Sequence, residues 1–136
     1  MLDLPREEMA IRKIYRELVE QQKLTTVFRP GQRLCEDYRG YCQNEIITIK
    51  IVDRVGADWA LLAPVFAPDF AKAVKIENIT SLPLGSLTAA DFAGSTPDVF
   101  DRQSLRYHLG IIYNLAPDDL GDDSLVTKIC FSYTGQ

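Results

Sequence analysis

Lys23, Thr25, Thr26, Arg29 and Arg33 crowd into one short stretch, and two hydroxyls among three cations suit anion binding or nucleophilic chemistry. A threonine hydroxyl is almost fully protonated at neutral pH, so as a nucleophile it needs a base beside it. Lys23 fills that role only where burial or a neighbouring cation such as Arg29 lowers its pKa toward about 7 or 8. A plainer reading stands beside this one: Lys23 as a cation at a helix C-terminus, the threonines as β-formers and the arginines as solvated charges. In a strand Thr25 and Thr26 point to opposite faces, so only one of them can share a pocket with Lys23. Other machinery is missing from the sequence. There is no G-x-x-x-x-G-K-[ST], G-x-G-x-x-G or G-x-S-x-G, and the single histidine, His108, stands beside Leu109 as a packing residue. No metal or cofactor is expected.

The elements that must position the cluster follow from periodicity. Ile11, Ile14, Tyr15, Leu18 and Val19 recur at helical spacing, which predicts an N-terminal amphipathic helix over about residues 5–22. A short extended piece through Val27 ends at Pro30-Gly31. Ile47, Ile49 and Ile51 alternate with Thr48 and Lys50 in the best strand of the chain, spanning 44–55. Further strands are expected over 59–66 and 71–80. A short helix over 86–92 follows, then a longer one capped by Asp98 or Asp101 with Leu105, Leu109 and Ile112 buried, and a closing strand over 125–133. Strands outnumber what one open sheet with such short connections would hide. The expected fold is α+β: a curled sheet or small β-barrel of five to six strands with flanking helices.

The chain is 136 residues long, 46% apolar and 25% charged, which fits one domain over 1–136 and excludes a disordered or collagen-like chain. A domain of this size needs no disulfide, and Cys35, Cys42 and Cys130, odd in number and lacking C-x-x-C spacing, are expected to be small buried residues. No apolar run is long enough to span a bilayer and the N-terminus is acidic, so the expected location is cytoplasmic with no membrane partner. A net charge of −4 argues against a general nucleic-acid coat protein. Residues 11–39 nevertheless hold seven basic side chains against four acidic, so a local anion site is compatible with the acidic whole. Asp118, Asp119, Asp122 and Asp123 make an acidic loop suited to solvation.

Val19 to Arg29, the mid-chain β run, Leu87-Thr88-Ala89-Ala90-Asp91-Phe92, the helix ending Leu109-Gly110-Ile111-Ile112-Tyr113, and Thr127 to Phe131 together resemble the ASCH domain across residues 10–133. The family pattern at the first strand is a glycine, a variable residue, Lys, two residues, Thr, one residue and Arg. Lys23 and Thr26 match it, Gln21 stands in the place of the glycine, and Arg29 falls one position late.

The resemblance implies a PUA-like β-barrel and a cleft that binds RNA or a nucleotide. It implies contacts from Lys23, Thr25, Thr26, Arg29 and Arg33, with Tyr38, Tyr41 or Tyr113 as a stacking surface. Some small members of the family are amidohydrolases that deacylate N4-acetylcytidine with a Lys, a Thr and a Glu, and one small member is a ribonuclease. Carried over, Thr26 is the nucleophile and Lys23 its base. The family glutamate has no counterpart here; Asp98 is the nearest carboxylate, with Asp91 a further one. Three readings follow: an RNA- or nucleotide-binding domain, an enzyme acting on a modified nucleoside, and a protein-interaction module meeting a basic partner through the acidic loop.

Overall fold

A computed structural model describes residues 8–37, 40–52, 67–113, 115 and 119–134. Five strands form one mixed sheet in the order β1-β3-β4-β5-β2. They are β1 (Glu8–Arg12), β2 (Thr26–Pro30), β3 (Ile46–Val52), β4 (Lys72–Pro83) and β5 (Leu125–Tyr133). β1 runs parallel to β3, and the other pairings are antiparallel. The expected strand over 59–66 lies outside the described residues.

The N-terminal helix is where expectation and structure part. Residues 8–12 form an edge strand, and helix is confined over 8–22 to a 3₁₀ turn (Lys13–Tyr15) and a short helix α1 (Arg16–Glu20). Met9 and Ile11 alternate into the core beside Ile47, Ile49 and Ile51, so β3 supplies a pairing edge that a helix stripe would leave unused. Ile14, counted on the apolar stripe, is 64% exposed.

The second half of the chain covers the other face of β2 and β5. Val27 enters the larger core with Ile129 and Phe131, while Phe28 joins Leu84, Leu87, Phe92, Val99, Leu105, Leu109, Leu120 and Val126 in a second one. Strand alternation divides the two neighbours, Val27 and Phe28, between opposite faces. The predicted short helix is a pair of 3₁₀ turns, Leu84–Ser86 and Ala89–Phe92, the latter closed by a capping box between Thr88 and Asp91. The longer helix, α2 (Arg102–Tyr113), lays Leu105 and Leu109 into the second core as expected.

The sheet is open in its hydrogen bonding, with β1 and β2 as the two edges. A side chain spans the gap between them. Arg29 Nη2 on β2 donates to the Ala10 carbonyl on β1 at 3.1 Å. From the loop after β2, the Tyr41 hydroxyl adds a bond to the Glu8 carbonyl at 2.7 Å.

Two sequence expectations about loops are corrected. Cys35 and Cys42 form a disulfide and do not behave as isolated buried residues; Cys130 is free. The turn between them brings their Cα atoms to 4.2 Å, with the Asp37 carboxylate accepting the Leu34 N–H at 2.9 Å. Disulfides persist mainly in oxidising compartments, which runs against the cytoplasmic expectation. In the acidic loop, Asp122 is not merely solvated: it pairs with Arg106, and its carbonyl accepts the Gly85 N–H at 2.8 Å. No described helix is long and apolar enough to cross a membrane.

The end of α1 fixes the approach to β2. Gln22 N–H bonds the Val19 carbonyl at 3.0 Å and Lys23 N–H bonds the Leu18 carbonyl at 2.8 Å, the paired bonds of a Schellman stop. Gln22 occupies the position that favours glycine, at φ 60°. Because Gln22 is exposed and its side chain has no packing to lose, Gln22→Gly is expected to stabilise the protein by roughly 1 kcal/mol in urea unfolding. A neutral or destabilising result would show that the left-handed turn is not the native one.

Candidate functional site

The α1 stop turns Lys23 outward, and it is exposed on the loop that enters β2. Thr25 and Thr26 sit one step further on, where a single carbonyl organises them. Gly94 O accepts both of their N–H groups, at 2.9 and 3.1 Å, while Phe131 N–H bonds the Thr25 carbonyl at 2.9 Å. Gly94 also lies against both hydroxyls: a Cβ added there would meet Thr25 Oγ1 at 2.2 Å and Thr26 Oγ1 at 3.3 Å. Strand alternation therefore does not separate the two threonines relative to Gly94, because Thr25 precedes β2 and only Thr26 belongs to it. Thr26 is buried, its hydroxyl 3.7 Å from Cys130 Sγ. Among the described residues no hydrogen bond or ion pair joins Lys23 to Thr26 or to Asp98.

Both arginines of the sequence cluster bind backbone. Besides Ala10, Arg29 reaches the Phe28 carbonyl at 3.2 Å through Nη1. Arg33 Nε donates to the Pro30 carbonyl at 3.0 Å, and its N–H bonds Thr127 Oγ1 at 2.9 Å. Of the stacking candidates, Tyr41 is a core residue, Tyr38 lies outside the described residues, and Tyr113 ends α2 with its side chain outside them too.

The carboxylates divide cleanly. Asp101 is the cap of α2, accepting the Ser104 N–H at 2.7 Å while Ser104 Oγ accepts the Asp101 N–H at 3.0 Å. Asp91 is held by its own capping box and by Lys128 Nζ at 2.9 Å, and these bonds keep its pKa below the ordinary value. Asp98 is thereby left to other partners. Its Oδ2 accepts the Tyr15 hydroxyl at 2.5 Å and stands 3.7 Å from His108 Nδ1, and the Thr96 hydroxyl bonds it as well. Burial works against its charge, but the bonds from Tyr15 and Thr96 and the neighbouring His108 outweigh burial and hold its pKa below the ordinary value.

Around this carboxylate stand groups that the sequence does not assign to the site: His108 is expected there as a packing residue and Tyr15 as part of the apolar stripe. Arg12 lies over the Tyr15 ring at 5.6 Å, and its Nε is buried without a hydrogen-bond partner. The Tyr15 and His108 rings lie 6.1 Å apart. Burial, with the Asp98 bond next, raises the Tyr15 pKa and keeps its hydroxyl a donor. Burial also pushes His108 down to about 4; Asp98 opposes this, and Arg12 and Arg29 add to it. At neutral pH the cluster therefore holds two guanidinium ions, one carboxylate, a neutral imidazole and a phenol. The signal for His108 was present in its spacing, since it falls on the same side of α2 as Leu105 and Leu109. Arg12 and Tyr15 were hidden by the helical reading of the N-terminus.

No group of His, Cys, Asp and Glu suited to a metal ion occurs among the described residues. Comparison with family models, curated proteins and solved structures returns no match.

Proposed function

We propose that the chain is an ASCH-like domain that binds RNA or a nucleotide, with its ligand seated where β1, the start of β2, the 94–98 segment and α2 meet. One observation carries the reading: Gly94 holds Thr25 and Thr26, and four residues later Asp98 holds Tyr15, Thr96 and His108, so hydroxyls, a carboxylate, an imidazole and guanidinium groups gather from separate elements. Guanidinium ions suit phosphate, and fixed hydroxyl and carboxylate groups suit base edges. In this reading the open sheet is a PUA-like barrel whose last seam is spanned by Arg29, and Lys23 and Arg33 extend the basic surface along the strand. Short single-stranded RNA should bind with an affinity that falls by about 0.7 log unit per log unit of salt for each phosphate contact. A binding curve that ignores salt, or no binding at low salt, would overturn the proposal.

A second reading, deacylation of a modified nucleoside such as N4-acetylcytidine through Lys23 and Thr26, is favoured by a specific feature. Asp101 takes the helix cap, so Asp98 is not spent on capping α2, although its Oδ2 already accepts the Tyr15 hydroxyl. Turnover of acylated cytidine that disappears in Thr26→Ala would establish it, and silence at high enzyme concentration would remove it.

A further inference from the structure

Arg12 is half-buried, and the enclosed part of its guanidinium is Nε. Arg29 crosses the sheet seam to a carbonyl and Arg33 braces a turn, but Arg12 Nε is enclosed without an acceptor, and the group it faces is the ring of Tyr15. An enclosed cationic donor left unbonded costs more than the bond it would make, so an acceptor is expected there when the protein is at work. Beside it stand Arg29, on the strand edge bonded to Ala10 two residues before Arg12, and His108, whose ring lies 6.1 Å from that of Tyr15.

We propose that Arg12, His108 and Arg29 form a binding site for a tetrahedral oxyanion, a phosphoryl group carried by a nucleotide or by free phosphate. The fork of Arg12 supplies paired N–H donors to two oxygens, and the charge of the second guanidinium adds to it. Asp98 does not repel the guest outright, because its Oδ2 is engaged by Tyr15 and the two cations outnumber it. With His108 neutral, the cluster carries one excess positive charge, which a monoanion balances. A dianion is balanced if His108 also takes up a proton, since burial is the main force holding the ring neutral and an anion beside it offsets the two arginines that add to that force. The charged and titratable groups facing His108 are Arg12 on β1, Tyr15 on the 3₁₀ turn, Arg29 on β2 and Asp98 before α2. This inference rests on the nucleotide-binding reading only for the source of the phosphoryl group; the site itself would take either.

His108 is the only histidine in the chain, so its ring resonances are an unambiguous reporter. The experiment is an NMR titration of the intact protein near pH 6 with inorganic phosphate, with uridine 5′-monophosphate, with uridine and with sodium chloride at matched ionic strength. The expected result is a saturable shift of the His108 signals with phosphate or the nucleotide, a raised midpoint of its pH titration in the bound state, and no shift with uridine or chloride. Phosphate alone sufficing identifies a free-anion site; a response to the nucleotide only identifies the ester as the guest. Arg12→Gln should weaken the response at least about tenfold, the loss of one charge-assisted contact. If that variant does not fold, Arg12→Lys, which keeps the charge and loses the fork, should weaken it by a smaller factor. No shift with either phosphate species, an equal shift with chloride, or a response untouched in a folded Arg12 variant would overturn the site. RNA binding that leaves His108 unmoved defeats this inference and spares the nucleotide-binding reading; a phosphate response with no RNA or nucleotide binding does the reverse.

Discussion

Gly94→Ala is expected to destabilise the protein by about 2–4 kcal/mol and to abolish ligand binding, whereas Gly31→Ala costs only about 1 kcal/mol. The two glycines have nearly the same backbone, φ +80° at Gly94 and +79° at Gly31. Any L-residue at either position bears the left-handed penalty. Only Gly94 bears a second one. Its added Cβ would sit 2.2 Å from Thr25 Oγ1, whereas at Gly31 nothing lies within 4 Å. To admit the methyl group, the 94–98 segment must move off the threonines, lengthening the two bonds from Thr25 and Thr26 N–H to Gly94 O and pulling Asp98 from Tyr15. Urea unfolding of both variants measures the difference between them, and equal losses would show that the contact with the hydroxyls is loose. A double variant sharpens the test. Thr25→Ala removes the nearest atom and leaves Thr26 Oγ1 at 3.3 Å, so Gly94→Ala should cost clearly less in that background, a coupling that independent sites would not show.

How much of this was legible in the sequence depends on whether a signal was local. The alternation of Ile47, Ile49 and Ile51 needed no outside information and gave β3 directly, and the spacing of Leu105 and Leu109 gave the buried face of α2. The stretch from Glu8 to Val19 was ambiguous because Ile11, Tyr15 and Val19 fit a helical stripe as well as they fit a strand followed by a turn. What decides it is a parallel partner forty residues away, which no local window contains. The same non-local pairing hid Arg12 and Tyr15 from the site. Thr25, Thr26 and Asp98 were visible by residue type, but not their relation: it runs through the Gly94 carbonyl and the Asp101 cap, and the sequence allowed Asp98 or Asp101 to take that cap equally well. The disulfide was missed for a related reason, because six intervening residues close only when the turn around Asp37 is formed.

Acidification is expected to destabilise the protein between about pH 6.5 and 4 by roughly 3 kcal/mol through His108 alone. A histidine 3.7 Å from a carboxylate invites the opposite expectation, an ion pair that strengthens as the ring is protonated. The two differ in sign. If Asp98 governed, the folded pKa would exceed the ordinary value of 6.5, and stability from this pair would be fully present below that value and lost as pH rises. Here the imidazole is 15% exposed, and burial with Arg12 and Arg29 outweighs the carboxylate, so the folded pKa falls to about 4. The unfolded chain then binds a proton below about pH 6.5 that the folded protein refuses until about pH 4, and stability declines as pH falls through that window. Asp98 itself adds nothing there, because its own pKa is held below the ordinary 3.8 and its contribution is lost only under stronger acid. Unfolding free energies measured at pH 7 and pH 5 for the wild type and for His108→Gln separate the cases. The wild type should lose about 2 kcal/mol between those two pH values, the rest going below pH 5, and the variant should stay nearly flat over the same interval. A wild type that gains stability at pH 5 would make Asp98 and His108 a true ion pair, and would remove the neutral imidazole on which the coupling of anion binding to proton uptake depends.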